Sequence, residues 1–137
     1  MTTFKGGCFC GHIRYVADGE PVMTAICHCS MCRRAAGAPM MAWAMFPADA
    51  VRFETQRPAT FPSSPGVTRG YCDRCGTQLT FEGDVIPGLI DLTIGSFDNP
   101  AAVTPQFHYW DGRRLPWVVP GDGLTRHPEF PPQPEEP

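Results

Sequence analysis

The sequence predicts a mainly β fold, and two features indicate it. The chain of 137 residues contains 16 prolines and 14 glycines, a content that favours many turns and short extended segments over long helices. Several short stretches alternate apolar and polar residues, as half-buried strands do. The length is that of a single domain, so no second hydrophobic core is expected.

The first half of the chain supplies the early strands and one helical turn. Helix formers follow Cys32, Ser30 is a suitable N-cap, and Gly37 is a natural stop, which together predict one short helical turn. Cys32 would then lie near the positive end of the helix dipole, which favours a thiolate. Strands are predicted from alternation or apolar character at residues 12–16, 22–26, 39–46 and 51–54.

The second half continues in the same way. Residues 57–66 are rich in proline and serine and predict a loop, and a glycine-ended turn is expected at residues 70–76. Further strands are predicted at residues 77–82, 89–95 and 105–110, with His108 as a packed or hydrogen-bonded histidine. Residues 131–137 contain only proline, glutamine and glutamate, which predicts an extended, mobile tail.

Charge and hydropathy exclude some classes of function. The net charge is −3, from 11 basic and 14 acidic residues, and the longest basic runs are the doublets Arg33-Arg34 and Arg113-Arg114. No nucleic-acid partner is therefore expected. The N-terminus lacks the features of a signal peptide and no run of eighteen apolar residues occurs, which predicts a soluble, cytoplasmic protein without membrane contact.

Seven cysteines are the main chemical feature of the sequence. Pairs occur at Cys8/Cys10 and Cys72/Cys75, and a central triad is formed by Cys27, Cys29 and Cys32. In a reducing compartment such spacings indicate metal ligands rather than disulfides. A structural zinc takes four ligands, which the two pairs could supply together. The triad is then left for a second ion with one open position, the arrangement of a catalytic zinc.

Spacing alone leaves other arrangements open. The triad could recruit Cys72 or Cys75, or His28 could be the fourth ligand of a closed site. An iron–sulfur cluster on four thiolates is also compatible with the ligand type. Arg33 and Arg34 follow the triad directly and are candidates to bind a carboxylate of an acidic thiol substrate.

Four segments together resemble the glutathione-dependent formaldehyde-activating enzyme family, whose domain is shared with centromere protein V. They are Gly6-Gly7-Cys8-Phe9-Cys10-Gly11 with Arg14-Tyr15, Cys27-His28-Cys29-Ser30-Met31-Cys32-Arg33, Cys72-Asp73-Arg74-Cys75-Gly76-Thr77 and Asp98-Asn99-Pro100. The resemblance covers residues 4–130, interpreted as a single zinc-binding domain. It implies several small coiled antiparallel sheets and two zinc ions. The implied ligands are Cys8, Cys10, Cys72 and Cys75 for a structural zinc, and Cys27, Cys29 and Cys32 for a second one.

The activity that the resemblance implies is that of a carbon–sulfur lyase. A small thiol such as glutathione would add to formaldehyde or a similar aldehyde, with the open zinc activating the thiol or polarising the aldehyde. No short glutathione-binding motif can be carried over to this chain. The alternative hypothesis is a non-catalytic zinc module that binds a protein partner, for which the aromatic stretch around Trp110 and Trp117 is available.

Overall fold

The computed structural model describes residues 2–131, which form eleven β-strands and one α-helix. The helix α1 spans Ser30–Ala36, and short 3-10 turns lie at Ala48–Ala50, Ile94–Ser96, Pro100–Ala102 and Asp111–Arg113. The strands are β1 Thr3–Gly7, β2 Arg14–Asp18, β3 Met23–Cys27, β4 Met41–Pro47, β5 Val51–Phe53, β6 Ala59–Ser64, β7 Val67–Tyr71, β8 Gln78–Gly83, β9 Leu89–Thr93, β10 Phe107–Tyr109 and β11 Thr125–Arg126. The predicted mainly β fold with few helical turns is confirmed.

The strands form two sheets of unequal size. The small sheet has the order β1-β2-β5 and is antiparallel, and the large sheet has the order β11-β10-β3-β4-β9-β8-β7-β6. In the large sheet β10 runs parallel to both β3 and β11, a departure from the expected antiparallel pairing. Because β4 pairs antiparallel with both β3 and β9, β10 also runs in the direction of β9. The connection from β9 to β10, residues 94–106, is long enough for the crossover that this direction requires.

The large sheet has two chemically different faces because successive side chains of a strand point to opposite sides. One face packs against the small sheet. Its Phe46 and Leu92 belong to the same buried cluster as Phe4 and Tyr15 of the small sheet, and the Phe4 and Phe46 rings meet edge to face at 5.8 Å between centroids. This face therefore forms the main hydrophobic core.

The opposite face carries a row of five cross-strand neighbours. Met23 pairs with Met45, Met45 with Asp91, Asp91 with Phe81, and Phe81 with Arg69. The row runs across five adjacent strands, from β3 to β7. It combines apolar side chains with one acidic and one basic side chain. Charged residues are unusual on the face of a sheet that serves only as part of a hydrophobic core.

Helix α1 begins one residue differently from the prediction. Cys29, rather than Ser30, is the N-cap: its backbone is extended (φ −64°, ψ 148°) and its Sγ accepts a hydrogen bond from the Cys32 amide at 3.3 Å. Ser30 is already the first helical residue. The predicted stop at Gly37 is confirmed, since this residue adopts the left-handed conformation (φ 63°) that ends many helices.

Two further expectations concern the ends of the chain and membranes. The predicted tail at residues 131–137 lies outside the described residues, apart from Pro131. Within residues 2–131, no helix has the length and apolar character needed to cross a membrane.

Gly7 is expected to be essential for the turn that holds Cys8. A Cβ at this position would collide with the backbone carbonyl of Ile13 and approach Arg14 Cδ at 2.8 Å. That carbonyl accepts a hydrogen bond from the Cys8 amide at 3.0 Å. Gly7→Ala is therefore expected to lower the free energy of unfolding by about 1–3 kcal/mol, measured as a lower urea midpoint.

Gly95→Ala is the matched control for this substitution. No atom lies within 4 Å of a Cβ built on Gly95, so its effect should stay within about 0.5 kcal/mol. Equal urea midpoints for the two variants would contradict the steric argument.

Candidate functional site

The structure gathers four cysteines from two distant segments into one group. The Sγ atoms of Cys8, Cys10, Cys72 and Cys75 all lie within 4.8 Å of one another. Cys10 Sγ is 3.7 Å from that of Cys8 and 3.8 Å from that of Cys72. This group joins the loop between β1 and β2 to the loop between β7 and β8, and its four soft donors could hold one metal ion.

Both loops direct backbone amides at the sulfur atoms. The Ile13 amide donates to Cys8 Sγ at 3.2 Å, and the Arg74 amide donates to Cys72 Sγ at 3.4 Å. Gly11 and Gly76 follow the two cysteine pairs with φ of 82° and 81°, a conformation that glycine adopts without strain. Hydrogen bonds of this kind favour thiolates, which are the metal-binding form of cysteine.

A second group contains three thiols. Cys27 ends β3, Cys29 caps helix α1, and Cys32 lies in its first turn. Their Sγ atoms lie within 4.8 Å of one another, and those of Cys27 and Cys32 are 3.5 Å apart. Among the described residues, no further cysteine, histidine or carboxylate belongs to this group. The thiols are therefore divided four and three, and neither Cys72 nor Cys75 joins the triad.

His28 is turned to another partner, although it lies between two of these thiols in the sequence. Its Nε2 is 2.8 Å from Nδ1 of His108, whose Nε2 is 2.7 Å from Oδ2 of Asp122. If the Asp122 carboxylate accepts from His108, then His108 accepts from His28 in turn. Both imidazoles are buried, and burial lowers the pKa of His28, with His108 adding to the effect. The prediction of a packed, hydrogen-bonded His108 is confirmed.

Arg69 is a buried cation beside the triad. Its Nη1 and Nη2 lie 3.7 and 3.6 Å from Cys32 Sγ, and its guanidinium stands over the Phe81 ring at 5.0 Å from the centroid. Within the triad, hydrogen bonds from Cys27 and then Cys32 lower the pKa of Cys29. These hydrogen bonds favour thiolate at Cys29. The pKa of Cys27 is instead raised by its hydrogen bonds with Cys29 and Cys32. The pKa of Cys32 is also raised, against the hydrogen bond with Cys27 and the positive charge of Arg69.

The triad opens on a cavity of about 390 Å³. The cavity lies on the face of the large sheet opposite the main core, and helix α1 and the aromatic segment after β10 also line it. Its walls include Met23, Trp43, Met45, Phe81, Tyr109 and Trp110. A cavity of this size is in the range of small-molecule sites.

Asp91 is the carboxyl group of this cavity. It is only 4% exposed, and its Oδ1 has no hydrogen-bond partner among the described residues. Burial raises its pKa to about 7, and the nearby charge of Arg69 opposes that rise. A carboxyl group with a pKa near neutrality can both take up and release a proton at physiological pH.

Arg33 and Arg34, the predicted substrate contacts, do not line this cavity. They lie in the last turn of α1, and Arg34 instead lines a separate depression with Phe61 and Tyr71. The arginines that do line the cavity are Arg69 and Arg113. A substrate contact for Arg33 and Arg34 stays a prediction.

Comparison with known proteins gives the family. The model of the glutathione-dependent formaldehyde-activating enzyme matches residues 3–113, most of the chain and all seven cysteines. The chain belongs to this family. The resemblance seen in the sequence is thereby confirmed. Among curated proteins, no sequence matches the chain significantly.

A solved structure supports the fold of this formaldehyde-activating family member. The crystal structure of a Rhodobacter sphaeroides protein superposes with a TM-score of 0.57 at 18% sequence identity. The match covers 90% of this chain and 98% of that one. At this identity the likeness concerns the fold alone, and the site has to be judged from the residues of this chain.

Sequence reasoning missed Arg69 and Asp91. One signal was available for Asp91, because a single carboxylate within the apolar stretch Leu89-Ile90-Asp91-Leu92 is expected to be buried. No comparable signal exists for Arg69, which lies in the alternating strand β7. In this family member, both residues come close to the thiols only because their strands pair across the large sheet.

Proposed function

We propose that this protein is a zinc-dependent carbon–sulfur lyase that joins a small, glutathione-like thiol to formaldehyde or a similar aldehyde. One observation carries the proposal: a group of three thiols, without a fourth ligand among the described residues, opens on a cavity of small-molecule size. A three-ligand site beside a cavity has room for a substrate atom as the fourth partner. The reducing cytoplasm would keep all seven thiols available.

The residues fit zinc at both places. Four thiols with amide hydrogen bonds to their sulfurs are typical donors of a structural zinc, and we assign this role to Cys8, Cys10, Cys72 and Cys75. Cys27, Cys29 and Cys32 would hold the second ion. When bound there, zinc supplies a Lewis acid that lowers the pKa of a thiol or polarises a carbonyl oxygen.

The reaction needs one proton to move. The sulfur of the thiol forms a bond to the carbonyl carbon, the π electrons of the C=O bond pass to its oxygen, and the proton lost from sulfur is gained by that oxygen. Asp91 is suited to carry this proton because it lines the cavity and its pKa of about 7 is close to ambient pH. The reverse reaction uses the same group in the opposite order.

Two arginines would have separate tasks. Arg69 is buried and contacts Cys32, so it would hold negative charge on the triad. Arg113 is exposed at the cavity and forms no ion pair with the described residues. Its guanidinium would therefore be free to bind a carboxylate of an acidic thiol.

The same geometry favours an enzyme over a non-catalytic zinc module. In a module that only binds a protein, zinc is structural, and structural zinc sites have four ligands. Here the triad lacks a fourth ligand among the described residues, and His28 is engaged with His108 instead of closing the group.

Exchange spectroscopy by NMR tests the proposal. Protein carrying two zinc ions per chain is mixed with glutathione and formaldehyde, and the exchange between free thiol and S-hydroxymethyl adduct is followed. We expect faster exchange than in buffer containing the same zinc concentration. Because Asp91 must be ionised to accept the thiol proton, the rate should rise with pH through about 7.

Asp91→Asn provides the internal comparison, since asparagine preserves the shape of the side chain and removes the titration. It is expected to slow exchange by about 10²-fold and to flatten the pH profile. No acceleration by the doubly loaded protein with glutathione or a simpler thiol, and with any of several aldehydes, would argue against the enzyme.

A further inference from the structure

The interior of the cavity is walled mainly by large apolar side chains. Met23, Met45 and Phe81 come from the row across the large sheet, and Trp43 and Tyr109 lie next to the triad. Val85 continues this apolar wall to the surface, where it is 60% exposed. The apolar lining therefore extends from the thiols to solvent.

Besides the hydroxyl groups of Ser30 and Ser64, few polar side chains of this cavity remain for a polar ligand. Arg69 is already placed between Cys32 and the Phe81 ring, and Asp91 is an acid, so it does not favour a carboxylate. Arg113 is the remaining arginine of the lining, and it lies in an exposed turn. A charged tripeptide would therefore keep its polar groups at the exposed edge near Arg113, because burial in the apolar interior would leave most of them unpaired, which is costly.

Formaldehyde alone cannot explain the apolar walls either. It has no hydrocarbon group, whereas the cavity of about 390 Å³ could hold on the order of ten water molecules at their liquid volume. With formaldehyde as substrate, most of the cavity would stay hydrated against methionine and aromatic side chains. Hydrocarbon that displaces this water gains binding free energy in proportion to the area buried.

We infer that the natural substrate of this site carries an alkyl or aryl group, which lies in the cavity with the reacting atoms at Cys27, Cys29 and Cys32. This inference rests on the proposed function and specifies its substrate class. The apolar group belongs either to the aldehyde or to the thiol, and both give the same chemistry in the cavity. The adduct would be a hydrophobic thiohemiacetal, formed by the same proton-balanced addition.

Two kinetic series separate the possible sources of the apolar group. In the first, glutathione is kept constant and the aldehyde is lengthened from formaldehyde to octanal. In the second, formaldehyde is kept constant and the thiol is lengthened from methanethiol to octanethiol. We expect kcat/KM to rise about threefold to fourfold per methylene in one series, until the cavity is filled. The series that rises identifies the partner carrying the group.

A binding measurement gives a readout that needs no turnover. Primary alcohols from methanol to octanol are titrated into the zinc-loaded protein while the fluorescence of its tryptophans, which include Trp43 and Trp110 at the cavity, is recorded. The affinity is expected to increase with chain length by a similar factor per methylene. Val85→Asp, which adds a charge at the exposed edge of the cavity, should weaken octanol binding about tenfold or more relative to methanol.

Val119→Asp is the matched control, because Val119 is 79% exposed and does not line the cavity. It should leave the chain-length dependence of binding unchanged. If formaldehyde and glutathione react as fast as every longer pair and alcohol affinity is flat, the inference is wrong while the proposed function stands. If no pair reacts but alcohol affinity rises with length, the lyase proposal fails and the apolar ligand class is retained. If no pair reacts and the alcohol affinity is also independent of chain length, both the lyase proposal and the inference of an apolar substrate are wrong.

Discussion

Replacing Cys72 by serine is expected to leave the protein largely unfolded at 37 °C. Cys72 is fully buried and its group joins loops more than sixty residues apart. The binding free energy of a structural zinc is about 10–16 kcal/mol in zinc-finger peptides, as large as the whole stability of a typical domain at about 5–15 kcal/mol. Losing a substantial part of it should therefore abolish cooperative folding.

Thermal unfolding by circular dichroism, together with zinc content by mass spectrometry, measures this effect. Wild-type protein should contain two zinc ions per chain and melt cooperatively, whereas Cys72→Ser should show no cooperative transition. Because serine is nearly isosteric with cysteine, overpacking would not explain the loss. A normal melting curve with a single zinc remaining would show that the four-thiol group contributes little to the fold.

Replacing Cys29 by serine is expected to abolish catalysis while the fold persists. Cys29 caps helix α1 through its side chain, and serine is itself a strong N-cap residue, so the helix keeps its start. A serine hydroxyl, however, is a poor substitute for a thiolate as a zinc ligand. Since loss of an outer partner of a metal ligand costs about 10–100-fold, loss of the ligand itself should cost more than about 100-fold in exchange rate.

Cys29→Ala separates the two roles of this side chain. It removes both the ligand and the cap, so it should be as inactive as Cys29→Ser and less stable by about 1 kcal/mol. The NMR exchange rate and the melting temperature are measured on both variants. Exchange at the wild-type rate in Cys29→Ser would exclude the triad as the reaction centre.

The division of the seven cysteines into a group of four and a group of three can be predicted from the sequence. The spacings of the two pairs and of the triad are local: short loops ending in Gly11 and Gly76 hold the pairs, and the start of helix α1 holds the triad. The start of helix α1 was placed one residue late because serine is a more common cap than cysteine, although Cys29 has the cap geometry. Errors of one residue at helix ends are typical of such reasoning.

The cavity could not be predicted in the same way. Arg69 and Asp91 meet the triad only because β7, β8 and β9 pair in one register, and a shift by one residue would turn each side chain to the other face. Likewise, Arg33 and Arg34 follow the triad directly in the sequence, yet they are not among the residues that line the cavity. Proximity to the triad along the chain therefore does not determine which residues line the cavity.

The alternation of the large sheet has a consequence for how such proteins can diversify. Phe46 and Leu92 face the small sheet, while Met45 and Asp91, each one position earlier in the same strands, face the cavity. Mutations can therefore reshape the cavity in one half of the alternating positions while the packing of the other half is retained. Descendants of one ancestral chain could thus acquire different substrates without rebuilding the core or the cysteine loops.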